Sequence, residues 1–115
     1  MSTVSYFNIA TGNSRSLVIA WSAMANGDDG QPMPHSAYTD KSVQVSGTFG
    51  VGGSLRLEGS NNGTDWAPLS DPQGGSLDIV SAKIKQVVEA TRFIRPRVTG
   101  GDGTTSLAVH LYVKE

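Results

Sequence analysis

The sequence predicts an all-β fold, an antiparallel sandwich of about seven or eight strands, on three observations. Apolar and polar residues alternate along six separate runs, the period-2 pattern of a strand with one buried face. Clusters of Gly, Asn, Asp and Pro separate those runs, in a chain that holds 14 Gly and 5 Pro. Charged residues make up 17% of the chain, against a usual share of about 25%, so the Glu/Lys/Ala-rich stretches that build helices are lacking.

Taken in order, the first run sets Leu17, Ile19 and Trp21 against Val18, Ala20 and Ser22. Residues 23–40 follow without periodicity: Asn26-Gly27-Asp28-Asp29-Gly30 is a loop by composition, and Pro32 and Pro34 forbid regular structure after it. Val43, Val45, Gly47 and Phe49 form the second run, and Gly50-Val51-Gly52-Gly53 turns it tightly into Leu55 and Leu57. Asn62-Gly63 reads as a type I′ hairpin turn, in which both central residues take positive φ. Trp66, three residues on, reads as the anchor packed beside that hairpin, since Trp is usually mostly buried. Asp71-Pro72-Gln73-Gly74-Gly75 is a further turn before Leu77 and Ile79. Ser81 to Thr91 has two readings. Ile84, Val87 and Val88 at i, i+3, i+4 with Ser81 as a cap fit a helical turn, whereas Ile84, Gln86 and Val88 fit a strand; a short helical or irregular connection is preferred. Ile94, Pro96 and Val98 alternate with Phe93, Arg95 and Arg97. Gly100-Gly101-Asp102-Gly103 then leads to the clearest run, Leu107, Val109, Leu111 and Val113 on one face, with Ala108, His110, Tyr112 and Lys114 on the other.

A chain of 115 residues makes one domain, residues 1–115. Residues 1–16 and 23–40 lack an apolar period of their own and read as arms that order on contact, the first as a flexible N-terminal arm. The first residues, Met1-Ser2-Thr3-Val4-Ser5, offer neither the positive start nor the apolar stretch of a signal peptide. The longest early apolar run, Leu17 to Trp21, falls far short of a membrane span. Synthesis in a cytoplasm and no membrane partner are therefore expected.

Most chemistries find no support. With no Cys, thiol nucleophiles, thiolate metal sites and disulfides are excluded. A net charge of −1 disfavours nucleic acid, whose binding needs many phosphate contacts. His35 in the Pro-rich loop and His110 in the last run read as surface or packing residues rather than catalytic ones, and no G-x-S-x-G elbow exists. Gly47-Thr48-Phe49-Gly50-Val51-Gly52-Gly53 lacks the Lys-Ser/Thr of a P-loop and precedes a strand where that motif needs a helix. Asp28-Asp29-Gly30 and Asp102-Gly103-Thr104 offer carboxylate oxygens without the spacing of a calcium loop. Asn62-Gly63-Thr64 matches a glycosylation acceptor only formally. No enzyme activity, metal or cofactor is expected.

Arg95-Pro96-Arg97 points instead to a contact surface. Pro within a strand is confined to edges, first positions or bulges, so the run 93–98 is expected to be an edge strand or to carry a bulge. Its outer face would present Phe93, Arg95 and Arg97, residue types enriched at interfaces. The competing reading pairs Arg95 and Arg97 with Glu58 or Asp78 on neighbouring strands.

Three stretches together resemble a known family. These are Ser42-Val43-Gln44-Val45-Ser46-Gly47-Thr48-Phe49-Gly50, then Leu57-Glu58-Gly59-Ser60-Asn61-Asn62-Gly63-Thr64-Asp65-Trp66 continuing through Leu69-Ser70-Asp71-Pro72-Gln73-Gly74, and Ile94-Arg95-Pro96-Arg97-Val98-Thr99-Gly100-Gly101-Asp102-Gly103-Thr104-Thr105-Ser106-Leu107. The chain resembles small virion structural proteins of tailed bacteriophages encoded near the major capsid protein, of the capsid decoration or cement type, over about residues 17–113. The resemblance implies a jelly-roll-like sandwich, the major capsid protein as partner, a homo-oligomer with a trimer favoured, and a place on the capsid surface after synthesis in the host cytoplasm. The alternative is a carbohydrate-binding sandwich module of a phage tail or baseplate, since turns like Gly59-Ser60-Asn61-Asn62-Gly63-Thr64-Asp65-Trp66 also occur in discoidin-like carbohydrate-binding sandwiches.

Overall fold

A computed structural model describes residues 2–34 and 38–115. Among these, eleven strands form: β1 Thr3–Val4, β2 Phe7–Ala10, β3 Ser16–Met24, β4 Asp29–Gly30, β5 Asp40–Thr48, β6 Ser54–Ser60, β7 Ala67–Pro68, β8 Asp78–Ile79, β9 Lys83–Val87, β10 Phe93–Gly100 and β11 Ser106–Lys114. One sheet runs β1-β4-β10-β6-β7, with β8 also on β6; the other runs β2-β3-β11-β5-β9. All pairings are antiparallel except β1–β4. The fold is an all-β, jelly-roll-like sandwich, as the alternation predicts. Eleven strands exceed the seven or eight expected because β1, β4 and β7 are two-residue pieces, too short to show a period.

The six alternating runs supply the core. Ile19, Trp21, Val43, Val109 and Leu111 from one sheet and Leu55, Leu57, Ile94 and Val98 from the other are essentially without exposure, each such side chain contributing about 1.5–3 kcal/mol by burial. Trp21 sits centrally, its indole N–H donating to the Gln31 carbonyl at 3.1 Å. A bulge in β3 then shifts the phase: Val109 faces Trp21 but Leu107 faces Met24, with Ala23 at φ 55° between them. Met24 is thereby returned to the core, a position that strict alternation from Trp21 assigns to the outside.

Two expectations are corrected. Lys83–Val87 is a strand, not a helical connection, because Lys41, Val43 and Val45 of β5 offer it a long-range ladder; Val87 on one side is buried, Ile84 on the other exposed. Strand β10 is interior, with β4 on one side and β6 on the other. Its proline is tolerated because the ladder toward the β4 side is broken there. Ile94 N donates to Met33 O at 3.2 Å and Val98 N to Asp28 O at 2.9 Å, while Pro96 between them packs its ring on Gly30. A Cβ on Gly30 would lie 2.5 Å from Pro96 Cδ. The bulge in β10 lies between Val98 and Gly100 instead. Of residues 1–16, read as an arm, 3–4 and 7–10 are β1 and β2; of residues 23–40, 29–30 are β4, and His35 lies outside the described residues.

Candidate functional site

The outer face of the six-stranded sheet carries Arg56, Arg95 and Arg97, and Arg92 just before β10 stacks on Phe93 beside them. Register places Asp78, Arg56, Arg97 and Asp29 in one row across β8, β6, β10 and β4. Each arginine pairs with the acid on its outer side: Arg56 Nε to Asp78 Oδ1 at 2.9 Å, and Arg97 Nε to Asp29 Oδ1 at 3.4 Å. In the next row Arg95 Nε meets Glu58 Oε1 at 3.1 Å, with side-chain exposures of only 18% and 5%. The Arg95 guanidinium lies 4.1 Å from the centroid of the Trp66 ring, a cation–π stack. Phe93, opposite Ser60, carries Arg92 4.8 Å above its ring.

Phe93, Arg95 and Arg97 thus share one face, as read from the sequence. Both arginines are engaged within the fold, Arg95 with Glu58 and Arg97 with Asp29. Trp66 is half-buried and serves as the platform for Arg95.

Asn62 and Gly63 lie in the loop between the antiparallel strands β6 and β7. The type I′ form is not adopted. Gly63 has φ 77°, but Asn62 is not in the left-handed region. Its side chain builds the turn instead: Asn62 Oδ1 accepts from Thr64 N and Asp65 N, both at 2.9 Å, and Ser60 Oγ accepts from Gly63 N at 2.9 Å. This is the Asx-turn chemistry open to Asn.

Of the carboxylates singled out as possible ion ligands, Asp28 and Asp102 are occupied by protein donors, and Asp29 faces Arg97 as its ion-pair partner. Asp28 accepts from Ser2 N at 3.0 Å, Ser2 Oγ at 3.2 Å and Ala25 N at 2.9 Å. Burial alone would raise its pKa, but these hydrogen bonds outweigh it and hold the carboxyl below the usual range. Asp102 accepts from Thr104 Oγ1 at 2.6 Å, Thr104 N at 2.8 Å and Val51 N at 2.8 Å. The Thr104 hydroxyl, then Val51 N and Thr104 N, pull its pKa to about 2. Among the described residues no cluster of three or more His, Cys, Asp or Glu could hold a metal ion.

The other outer face differs in chemistry. On the five-stranded sheet Ile9, Val18, Tyr112, Ser42 and Gln86 form one row, and Phe7, Ala20, His110, Gln44 and Ile84 the next. No formal charge interrupts either row. Phe7, Ile9, Ile84 and Tyr112 are 48%, 39%, 62% and 39% exposed. Two shallow adjoining grooves of ≈480 and ≈430 Å³ share Ser42, Ile84 and Tyr112. An ion pair, Lys114 Nζ to Asp40 Oδ2 at 3.7 Å, closes one end. Sequence alternation assigns His110 and Tyr112 to this face, but the other exposed apolar groups lie in the arm and in the ambiguous 81–91 segment. The only sequence signal for β2 is Phe7 and Ile9 alternating with Asn8 and Ala10, too short to separate from chance.

No protein-family model matches the chain, nor does any curated protein sequence. Among solved structures, the SPBc2 prophage-derived protein YomS is similar in fold, with a TM-score of 0.68 and 14% identity, over 94% of this chain and 100% of that one. KdgF from a Halomonas species matches at a TM-score of 0.47 and 13% identity, over 96% of this chain and 77% of that one. The cupin domain of Schizosaccharomyces pombe Cnp3 matches at 0.46 and 5%, over 95% and 59%.

Proposed function

We propose that the protein is a non-enzymatic structural component of a tailed-bacteriophage virion, a capsid decoration protein that binds between subunits of the major capsid protein and stabilises the head. The observation that carries the reading is the uncovered face of the five-stranded sheet: Phe7, Ile9, Val18, Ile84 and Tyr112 lie together on a rigid two-layer frame, the make-up of a surface that another protein covers. The motif resemblance supports it, and so does the end-to-end similarity in fold to a prophage-derived protein. On this reading the protein works on the capsid surface after synthesis in the host cytoplasm, as a homo-oligomer; the resemblance implies a trimer. The arginine face, with its charges paired internally, is the weaker candidate for the capsid contact.

A second reading has its own observation. Tyr112 lies among Ser42, Gln44, Gln86 and His110 on an uncharged strip, which suits the apolar faces and hydroxyls of a sugar ring. It makes the chain a carbohydrate-binding module of a tail or baseplate. The test mixes purified protein with heads assembled without it. Saturable binding in many copies, raised thermal stability of the head, and loss of both with Tyr112→Asp are expected. Few copies confined to tail fractions, with a signal on a glycan array, would replace the first reading by the second.

A further inference from the structure

We infer that the free edge of β2, Phe7–Ala10, pairs antiparallel with the same strand of a second copy, joining two five-stranded sheets across a twofold axis. Each of the other sheet edges is blunted. An exposed edge presents unpaired N–H and C=O groups, and proteins blunt such edges with short strands, proline or charge, lysine above all. Strand β1 at one edge of the first sheet is two residues long. At its other edge β7 is two residues long and contains Pro68, and β8 is equally short. In the second sheet the far edge, β9, carries Lys83 and Lys85, with Lys85 held at 3.6 Å by Asp71. Strand β2, at four residues, is twice the length of β1, β7 and β8 and carries neither the charge nor the proline of the other edges. It reads Phe7-Asn8-Ile9-Ala10, all four residues exposed, with no charge and no proline, and it ends its sheet with no described strand beyond it.

The occupant follows from the sequence of the strand. About an axis through Asn8, antiparallel pairing sets Phe7 opposite Ile9 of the other copy, twice, and Asn8 opposite itself. Aromatic–β-branched pairs stabilise neighbouring strands, and nothing in the strand repels its own copy. The same operation on β9 would bring lysines together. Phe7 and Ile9 each head a row of the outer face, so the pairing extends both rows across the axis into one continuous surface. It is an isologous contact, closed by a twofold. Four residues a side bury far less than the roughly 1,200–2,000 Å² of a stable interface, so the pair is weak in dilute solution. Where the protein is crowded on a head, which rests on the function proposed above, it fills by proximity.

Sedimentation velocity on the isolated protein, over a concentration series into the millimolar range, tests this without capsids and so apart from the capsid reading. The expected result is a rise from monomer to dimer. Ile9→Lys should weaken it by about tenfold or more, the equivalent of 1.4 kcal/mol, while Ile84→Lys on the opposite side of the face leaves it intact. Backbone amides of Phe7–Ala10 should exchange more slowly as wild-type concentration rises, a readout that needs no variant. A monomer at every concentration, amide exchange that ignores concentration, a trimer indifferent to Ile9→Lys, or a dimer broken by Ile84→Lys would each overturn the inference.

Discussion

Arg95 and Arg97 stand two positions apart on one strand face, yet their replacement should differ. Arg95 covers Glu58, whose side chain is 5% exposed. Removing the cation leaves a buried carboxylate without its partner, and Arg95→Ala should cost about 3 kcal/mol, near the low end for a broken buried pair because Arg95 itself keeps some solvent contact. Arg97, with 44% side-chain exposure and a looser pair, should cost about 0–1 kcal/mol. Equal melting temperatures for the two variants would show that Glu58 is not held as described. Backbone conformation gives a second contrast at this scale. Gly63 has φ 77° and open space, a Cβ there meeting only the Phe93 ring at 3.5 Å. Gly63→Val should therefore cost about 1–2 kcal/mol, from the left-handed backbone alone. Gly30 has an ordinary φ, but a Cβ would strike Pro96 at 2.5 Å and Trp21 Nε1 at 2.8 Å. Gly30→Ala should cost about 1–3 kcal/mol by overpacking, and urea titrations of the two variants measure both.

Among the elements, β5 carries an unusual residue in its inward series. Lys41 precedes Val43 and Val45 on the core side, faces Val87 and Val113, and is 5% exposed. Its ammonium donates to Thr39 O at 3.3 Å. Burial pushes its pKa down, opposed in part by Asp40 and Glu89. A lysine with a lowered folded pKa binds fewer protons folded than unfolded, so it weakens the fold below that pKa and the penalty lifts as pH rises toward the unfolded value of 10.5. Lys41→Met should thus melt no lower than wild type at neutral pH, and its advantage should shrink in alkali; a strongly destabilised variant would mean that the ammonium has a structural role. What was legible at this scale divides by physics. Runs such as Leu107–Val113 announce themselves because alternation over many residues has one explanation. Strands β4 and β7 exist only through their partners, since Asp29 is a strand residue because Arg97 and Thr3 flank it. The segment 83–87 carried both periods at once, and the pairing with β5 decided. The arginine face was readable to the level of which side chains share it, whereas the Asp29 partner of Arg97 was not, because loop 23–40 hides it. The apolar face was half readable, its β11 members visible and its β2 and β9 members not.

At the scale of the whole molecule, buried or hydrogen-bonded carboxylates tie the loops to the sheets. Asp28 clasps Ser2 and Ala25 to the loop before β4. Asp71 closes its own turn through Gln73 N and Gly75 N, both at 3.0 Å. Glu89 accepts from Ser70 N at 2.7 Å. Asp102 joins the β5–β6 turn to the β10–β11 turn through Val51, while Thr105 Oγ1 reaches Phe49 O at 2.7 Å. All four carboxyls are held below their ordinary values of 3.8 for Asp and 4.5 for Glu. A depressed folded pKa means that the unfolded chain binds more protons, so stability rises with pH through the interval between the two values. Their contribution is fully present above the unfolded values and is lost as pH falls through the folded ones, for Asp102 at about 2. Thermal melts should therefore be nearly flat from neutral pH down to mildly acidic conditions and fall steeply below pH 4.5, where Glu89 begins the series. Asp102→Asn removes one of these protonations. It should lower the melting temperature at neutral pH and flatten the acid limb below the unfolded Asp value of 3.8. An acid limb unchanged in Asp102→Asn would show that the two turns at this end of the sandwich are held by Thr105 and Phe49 alone.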